Sequence, residues 1–243
     1  MDANSNSKLQ EPVHIVPVGA FGQAIADVLK ELLPDVVETK PDPGNKTSPA
    51  LWPVARVNIL AAWRPVPQLN RLCEGISYAW KKHFIPVVLE DRSLRVGPVV
   101  VPGMGACYRC YEKRLLQHSP RQAIHSALRS HYEAHPQSGP AGYLAPFAEI
   151  AAIRLAQFIA RLDADPASEA GRLWQMDIIT RQTLTARVVG VHGCPRCGLH
   201  RDEATRSYMP LQQELAQLLS ERTVERELVG MNGHGGKVLW SRN

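Results

Sequence analysis

Two Cys-x-x-Cys pairs stand far apart in this chain, Cys107-Tyr-Arg-Cys110 and Cys194-Pro-Arg-Cys197. A two-residue gap lets both thiolates of one turn face a single ion, and two such turns complete the tetrahedral set that zinc accepts. Residues 111–193 lie between the pairs, far more chain than a zinc ribbon holds. An ion bound by both would therefore tie distant parts of one fold together instead of organising a small finger. Four thiolates leave no open coordination position, so Cys107, Cys110, Cys194 and Cys197 are expected to form a closed, structural Zn2+ site. A redox role is disfavoured because neither pair is expected to lead into a helix in a thioredoxin-like setting. Gly198 suits a tight turn of positive φ after the second pair. His192 and His200 are expected to flank the site without ligating it. Cys73 stands alone on an apolar helical stripe and reads as a small buried hydrophobe.

What surrounds the cysteines alternates between strand and helix. Val13–Val18 is an apolar run followed by Gly19-Ala-Phe-Gly22, and then Ile25, Val28, Leu29, Leu32 and Leu33 recur at helical spacing. That is a strand, a glycine turn and a helix, the opening of a βαβ unit. A short strand is expected at 36–38, a Pro-rich loop over 39–53, a strand at 57–62, a helix over 66–83 and a strand at 85–89. Residues 92–101 read as a strand pair or ribbon interrupted at Gly97-Pro98. Helices are expected over 121–134 and 146–162, the second with a face wide enough for a core or a dimer contact. Strands over 171–179 and 182–189 then form a C-terminal pair joined at Thr180-Arg181. The predicted fold is α/β, a Rossmann-like, mainly parallel sheet with flanking helices, this C-terminal strand pair and a four-cysteine zinc site. Residues 1–12 are expected to be a disordered tail, 13–200 the zinc-stapled domain, and 201–243 a C-terminal helix with a flexible end.

Composition excludes several functions. The chain has 243 residues, with 28 Lys+Arg against 23 Asp+Glu, a net charge of +5. That excess is small for the length and is not gathered on one arm, so no nucleic-acid partner is expected. No apolar run approaches a membrane span, and the polar N-terminal residues lack the apolar core of a secretory signal. A cytoplasmic protein without a membrane partner is the expectation.

Gly19 and Gly22 sit where a nucleotide fold places its phosphate loop, since glycines allow close backbone approach and a helix N-terminus favours anions. The third glycine is absent, Phe21 occupies the turn, and Glu38 is the nearest acidic candidate for a ribose. No Walker motif occurs. Gly19 and Gly22 are therefore read first as a structural strand–helix turn, with the remnant of a nucleotide loop as the functional alternative, and ATP binding is doubtful. His131 and His135 are four apart, but without a carboxylate motif a polar face is expected there. Asp163, Asp165, Glu169 and Asp177 lack the spacing of a di-metal site. Arg109, Lys113, Arg114, Arg121 and Arg129 form a basic stretch read as a solvated face, with contact to an acidic peptide as the functional alternative.

Together, Gly19-Ala-Phe-Gly22, Trp63-Arg-Pro-Val-Pro67, Gly97-Pro-Val-Val-Val-Pro-Gly103, Cys107-Tyr-Arg-Cys110 and Gly190-Val-His-Gly-Cys-Pro-Arg-Cys197 resemble the ThiF-like proteins of azole-peptide biosynthesis. These are the ocin-ThiF-like, TOMM cyclodehydratase-domain or leader-peptide-binding proteins, within the ThiF/MoeB/ubiquitin-activating superfamily. The resemblance spans residues 13–200. It implies zinc on the two Cys pairs and a place in the maturation of a ribosomally made bacteriocin-type peptide. The implied role is a non-catalytic partner that presents a precursor (leader) peptide to, or activates, a YcaO-type cyclodehydratase, with a homodimer as an option. The alternative is an ATP-dependent adenylating enzyme acting on a peptide carboxylate. The superfamily's catalytic aspartate after the third strand has no counterpart here, which favours the first reading. The family's N-terminal winged-helix element is not expected before a strand that begins near Val13, so leader contact is expected on another surface, with the 41–53 and 135–145 loops as candidates, or in a separate protein.

Overall fold

Apolar runs without a polar stripe must be covered on both faces, and that is how the first strands lie. In a computed structural model of the chain, which describes residues 11–90, 92–119, 121–139, 142–198 and 215–216, β1 (Val13–Val18) and β3 (Val57–Ala62) are buried at every position. Their polar residues answer each other: His14 Nδ1 lies 2.8 Å from Asn58 Oδ1. β2 (Val36–Glu38) and β4 (His83–Glu90) complete a parallel set, and β5 (Ser93–Val96), β6 (Arg172–Asp177) and β7 (Thr183–Arg187) add antiparallel strands. The sheet order is β2-β1-β3-β4-β5-β6-β7. The predicted α/β architecture with flanking helices and a terminal strand pair is the one observed.

Helices cover both faces. α1 (Gly19–Leu32) and α5 (Ala145–Ala164) bury Ile25, Leu29, Leu155, Phe158 and Ile159 against Ile15, Ile59, Ile85 and Val96. The α5 face that sequence left open between core and dimer contact is core. On the other side α2 (Pro67–Ala79) and α3 (Tyr108–His118) lie over Val16, Leu60 and Phe84. α4 (Gln122–Ala134) buries no residue, and α6 (Pro166–Glu169) is a single turn whose N-cap, Asp165, accepts from Ala167 N and Ser168 N.

Several boundaries differ from expectation for identifiable reasons. The helix expected over 66–83 ends at Ala79, because Lys81 turns at φ 56° and His83 already pairs with Val57. The 92–101 ribbon reduces to β5, after which Gly97 at φ 99° redirects the chain and leaves only isolated bridges at Val100 and Val101. Glu11 and Pro12, the last residues of the expected tail, are held: Glu11 pairs with Lys82 at 2.5 Å, and Pro12 O accepts from Arg56 N at 3.0 Å. The chain divides into two compact units at residue 202. The expected C-terminal helix and tail, and His200, lie outside the described residues apart from 215–216, which are helical. No helix among the described residues is long and apolar enough to cross a membrane.

Candidate metal centre and the strand-end pocket

Cys107 is the N-cap of α3 and Cys110 lies in its first turn, so the helix presents both sulfurs to one side. The second pair arrives on the segment after β7, where Gly193 turns at φ +64° and Gly198 N donates to Cys194 O at 2.7 Å. Positive φ therefore falls at Gly193 and not at Gly198. Gly198 is needed for a different reason: a Cβ there would lie 2.6 Å from Cys194 O.

All four sulfurs lie within 4.8 Å of one another, and all four residues are buried. The closest approaches are 3.8 Å for Cys107–Cys110, 3.7 Å for Cys107–Cys194 and 3.4 Å for Cys110–Cys197. A disulfide requires about 2.05 Å, so these are four free thiols. A tetrahedron with Zn–S bonds of ~2.3 Å has edges of about 3.8 Å, and the donor set fits that ion. Without a cation the thiols perturb one another: Cys110 is held below the ordinary thiol range and Cys107 above it, their mutual hydrogen bond being the largest cause in both. Such a group cannot carry several thiolates unless a cation balances them. Val191 N also donates to Cys110 Sγ at 3.3 Å. With four protein donors converging, the arrangement leaves no open position for substrate.

Nothing in the sequence pattern indicates what seats the second pair. Arg196, between its cysteines, reaches Glu74 of α2 at 3.6 Å and stacks over Tyr78 at 5.4 Å. Glu74 is only 1% exposed, and burial raises its pKa. A charged residue on the inward side of α2 breaks the apolar stripe that sequence patterning follows, and only its partner explains it. His192 is exposed at the rim. Cys73 is fully buried and its thiol is pushed up by burial, as a small core residue's should be.

The glycine turn is at the expected place, and both glycines make close packing contacts. α1 begins directly at Gly19, with no intervening loop. A Cβ on Gly19, at φ +69°, would overlap the Trp63 indole, and a Cβ on Gly22 would overlap the carbonyl of Ala61. The close approaches that the two glycines permit are thus to Trp63 and to β3. Glu38, the ribose candidate, accepts from Lys30 and from Gln23 at 3.1 Å. The cavity at the ends of β1 and β2 has a volume of about 370 Å3 and is lined by Pro17, Pro41, Pro43 and Pro136 beside Gly19 and Trp63, with Gln23, Lys40, Asp42, Asn45 and Gln137 as its polar side chains.

The other candidates disperse. His131 and His135 stack on each other at 4.6 Å, and His131 Nε2 meets Ser138 Oγ at 3.0 Å. Asp163 pairs with Arg56 at 3.2 Å, Glu169 with Arg172 at 3.2 Å and Asp177 with Arg92 at 2.6 Å. Of the basic stretch, Arg129 turns inward to Glu112 at 3.2 Å. The two loops offered as separate contact surfaces meet, with Gln137 Nε2 donating to Pro43 O.

No protein-family model matches the chain, and no curated protein sequence matches it. Its fold is similar to that of solved structures. A heterocyclase in complex with substrate and cofactor superposes with a TM-score of 0.56 at 20% identity, over 78% of this chain and 26% of that one. E. coli MccB with MccA-N7isoASN gives 0.54 at 14% identity, over 77% and 67%. A chain of the E. coli microcin synthetase McbBCD complex gives 0.54 at 14%, over 79% and 71%. The chain therefore spans about a quarter of the heterocyclase's length. At these identities the likeness is one of fold.

Proposed function

We propose that this chain is a zinc-stapled, non-catalytic partner in the maturation of a ribosomally made azole-type peptide, presenting a precursor to a YcaO-type cyclodehydratase or activating it. The domain that does this is residues 13–200, with Cys107, Cys110, Cys194 and Cys197 holding a structural zinc ion. That ion supplies no chemistry beyond cross-linking two segments of the fold.

One observation carries the choice of partner over adenylating enzyme: the close approach that Gly19 permits at the start of α1 is taken by the Trp63 indole. The engaged Glu38 points the same way. Peptide maturation as the setting is supported by the sequence resemblance. It is supported also by a shared fold with a heterocyclase solved with its substrate and with a chain of a microcin synthetase complex.

Two measurements test the reading. Magnesium-dependent ATP–pyrophosphate exchange by the isolated, zinc-loaded protein is expected to be absent, and exchange above background would replace the partner role with adenylation. Mixed with a YcaO-type cyclodehydratase and that enzyme's precursor peptide, the chain is expected to raise the rate of ring formation, followed by mass spectrometry as loss of one water per ring. An unchanged rate contradicts the proposal.

A further inference from the structure

A second opening, about 720 Å3, lies beyond the ends of β3 and β4, between α4 and the start of α5. Its walls are apolar where a buried core would be apolar, yet they face outward: Ile124 is 56% exposed, Leu128 45% and Leu144 65%. α4 is amphipathic in sequence but buries none of its own residues. A helix in that state has an apolar face awaiting a partner.

The charges in the opening narrow what that partner can be. Arg64 lines it and is 2% exposed, yet it has no carboxylate partner among the described residues. It is held between the rings of Trp63 and Tyr132, 5.1 and 4.4 Å from their centres. Its terminal nitrogens donate to carbonyls at the end of α4, at 2.5 Å to Pro136 O and 3.4 Å to Tyr132 O, while buried Nε has no partner. A helix C-terminus supplies only about half a negative charge, so a buried cation remains undercompensated. At the other end of α4, exposed Arg121 lines the same opening, and the helix starts there with no side-chain cap and no acidic residue in its first turn. The one lining carboxylate among the described residues, Glu90, is turned to Arg129 at 3.9 Å.

We infer that this groove docks an extended peptide segment in which apolar side chains alternate with carboxylates. The apolar side chains lie on Ile124, Leu128 and Leu144, and the carboxylates are drawn to Arg121 and Arg64. The inference rests on the peptide-handling role proposed above and assigns the contact surface for it. Alternation suits an extended chain, whose successive side chains point to opposite sides. Carboxylate pairing with arginine supplies orientation, and the apolar wall supplies most of the area.

The test uses the full, zinc-loaded chain and fluorescently labelled octapeptides, read by anisotropy. An amidated Leu–Glu alternating peptide is expected to bind about tenfold more tightly than its Leu–Gln counterpart, the loss expected for one charged hydrogen bond, and a Leu–Lys peptide is expected not to bind. A Leu–Gln peptide with a free C-terminus distinguishes the carboxylate's source. Binding that matches the Leu–Glu peptide assigns it to a chain end, and binding by the Leu–Glu peptide alone assigns it to side chains. Arg121→Glu and Leu128→Glu change exposed positions and leave folding intact; each is expected to weaken the acidic peptide about tenfold. Arg64→Met is informative where its melting temperature and zinc content match the parent, and the same loss is expected. Failure of both carboxylate peptides, equal affinity for the amidated Leu–Glu and Leu–Gln peptides, or full affinity in both surface variants overturns the inference. A chain that binds the acidic peptide through this groove but leaves the cyclodehydratase rate unchanged would retire the proposed function and keep the groove. Stimulation without groove binding would do the reverse.

Discussion

His14 is fully buried between β3 and Trp52, whose ring lies 5.0 Å away. Burial lowers its pKa, and it also lowers that of His83. The unfolded chain therefore takes up protons near pH 6.5 while the folded chain does not. Stability is full above that value and falls as pH drops toward the folded pKa, by about 1.4 kcal/mol per pH unit for each group. The urea midpoint should accordingly fall between pH 7.5 and pH 5, with a shallower dependence in His14→Gln; an identical dependence in both proteins would show that His14 is not the source. Gly22 offers a second residue-scale prediction. Gly22→Ala places a methyl against the Ala61 carbonyl and should cost about 1–3 kcal/mol, the usual range for overpacking, measured as a lower urea midpoint. Sequence made the glycine turn visible but not its use. What each glycine approaches depends on where Trp63 and Ala61 arrive, and neither is near in the chain.

At the scale of elements, α2 shows where periodicity succeeds and where it fails. Its stripe of Leu69 and Cys73 is buried as the spacing predicts, but Leu72 and Trp80 on the same stripe are 37% and 43% exposed. Asn70, Glu74 and Ser77 are buried instead, each engaged: Asn70 Nδ2 donates to Tyr108 Oη at 2.8 Å, Ser77 Oγ donates to Cys73 O at 2.7 Å, and Glu74 meets Arg196. Asn70 and Glu74 are invisible to a hydrophobic pattern because their partners come from elsewhere in the chain, whereas Ser77 is satisfied within its own helix. The Glu74–Arg196 pair yields a prediction of its own. Arg196→Ala leaves a buried carboxylate alone and should destabilise the protein by about 1–3 kcal/mol, below the 3–5 of a fully buried pair because Arg196 is partly exposed. Adding Glu74→Gln should recover most of the loss, and a double variant no more stable than the single one would argue against the pair. The strands were legible because unbroken apolar runs have few alternatives. β5 and its interruption at Gly97 were legible too; the strand expected beyond Gly97 was not formed, since Val99 N donates to Arg172 O at 2.8 Å and only isolated bridges follow.

For the whole molecule, the four cysteines were the most readable part of the site, and the seating of the second pair on α2 was the least. Cys107→Ser or Cys194→Ser should abolish stoichiometric zinc, measured by elemental analysis, and should lower the melting temperature sharply, since binding energy at such sites is folding energy. Full zinc in either variant would contradict a four-thiolate site. The groove along α4 had no sequence signature, because outward-facing Ile124 and Leu128 look like the core face of any amphipathic helix.

The sulfurs that approach most closely across the two pairs are 87 residues apart in sequence. On a ribosome adding about 5–20 residues per second, the second pair follows the first by roughly 4–17 s. Through that interval the nascent chain exposes a half-built chelate, with Cys107 and Cys110 free to oxidise or to hold the wrong ion. Metal supply during translation, and not only afterwards, should therefore govern how much of this protein is produced in its native form.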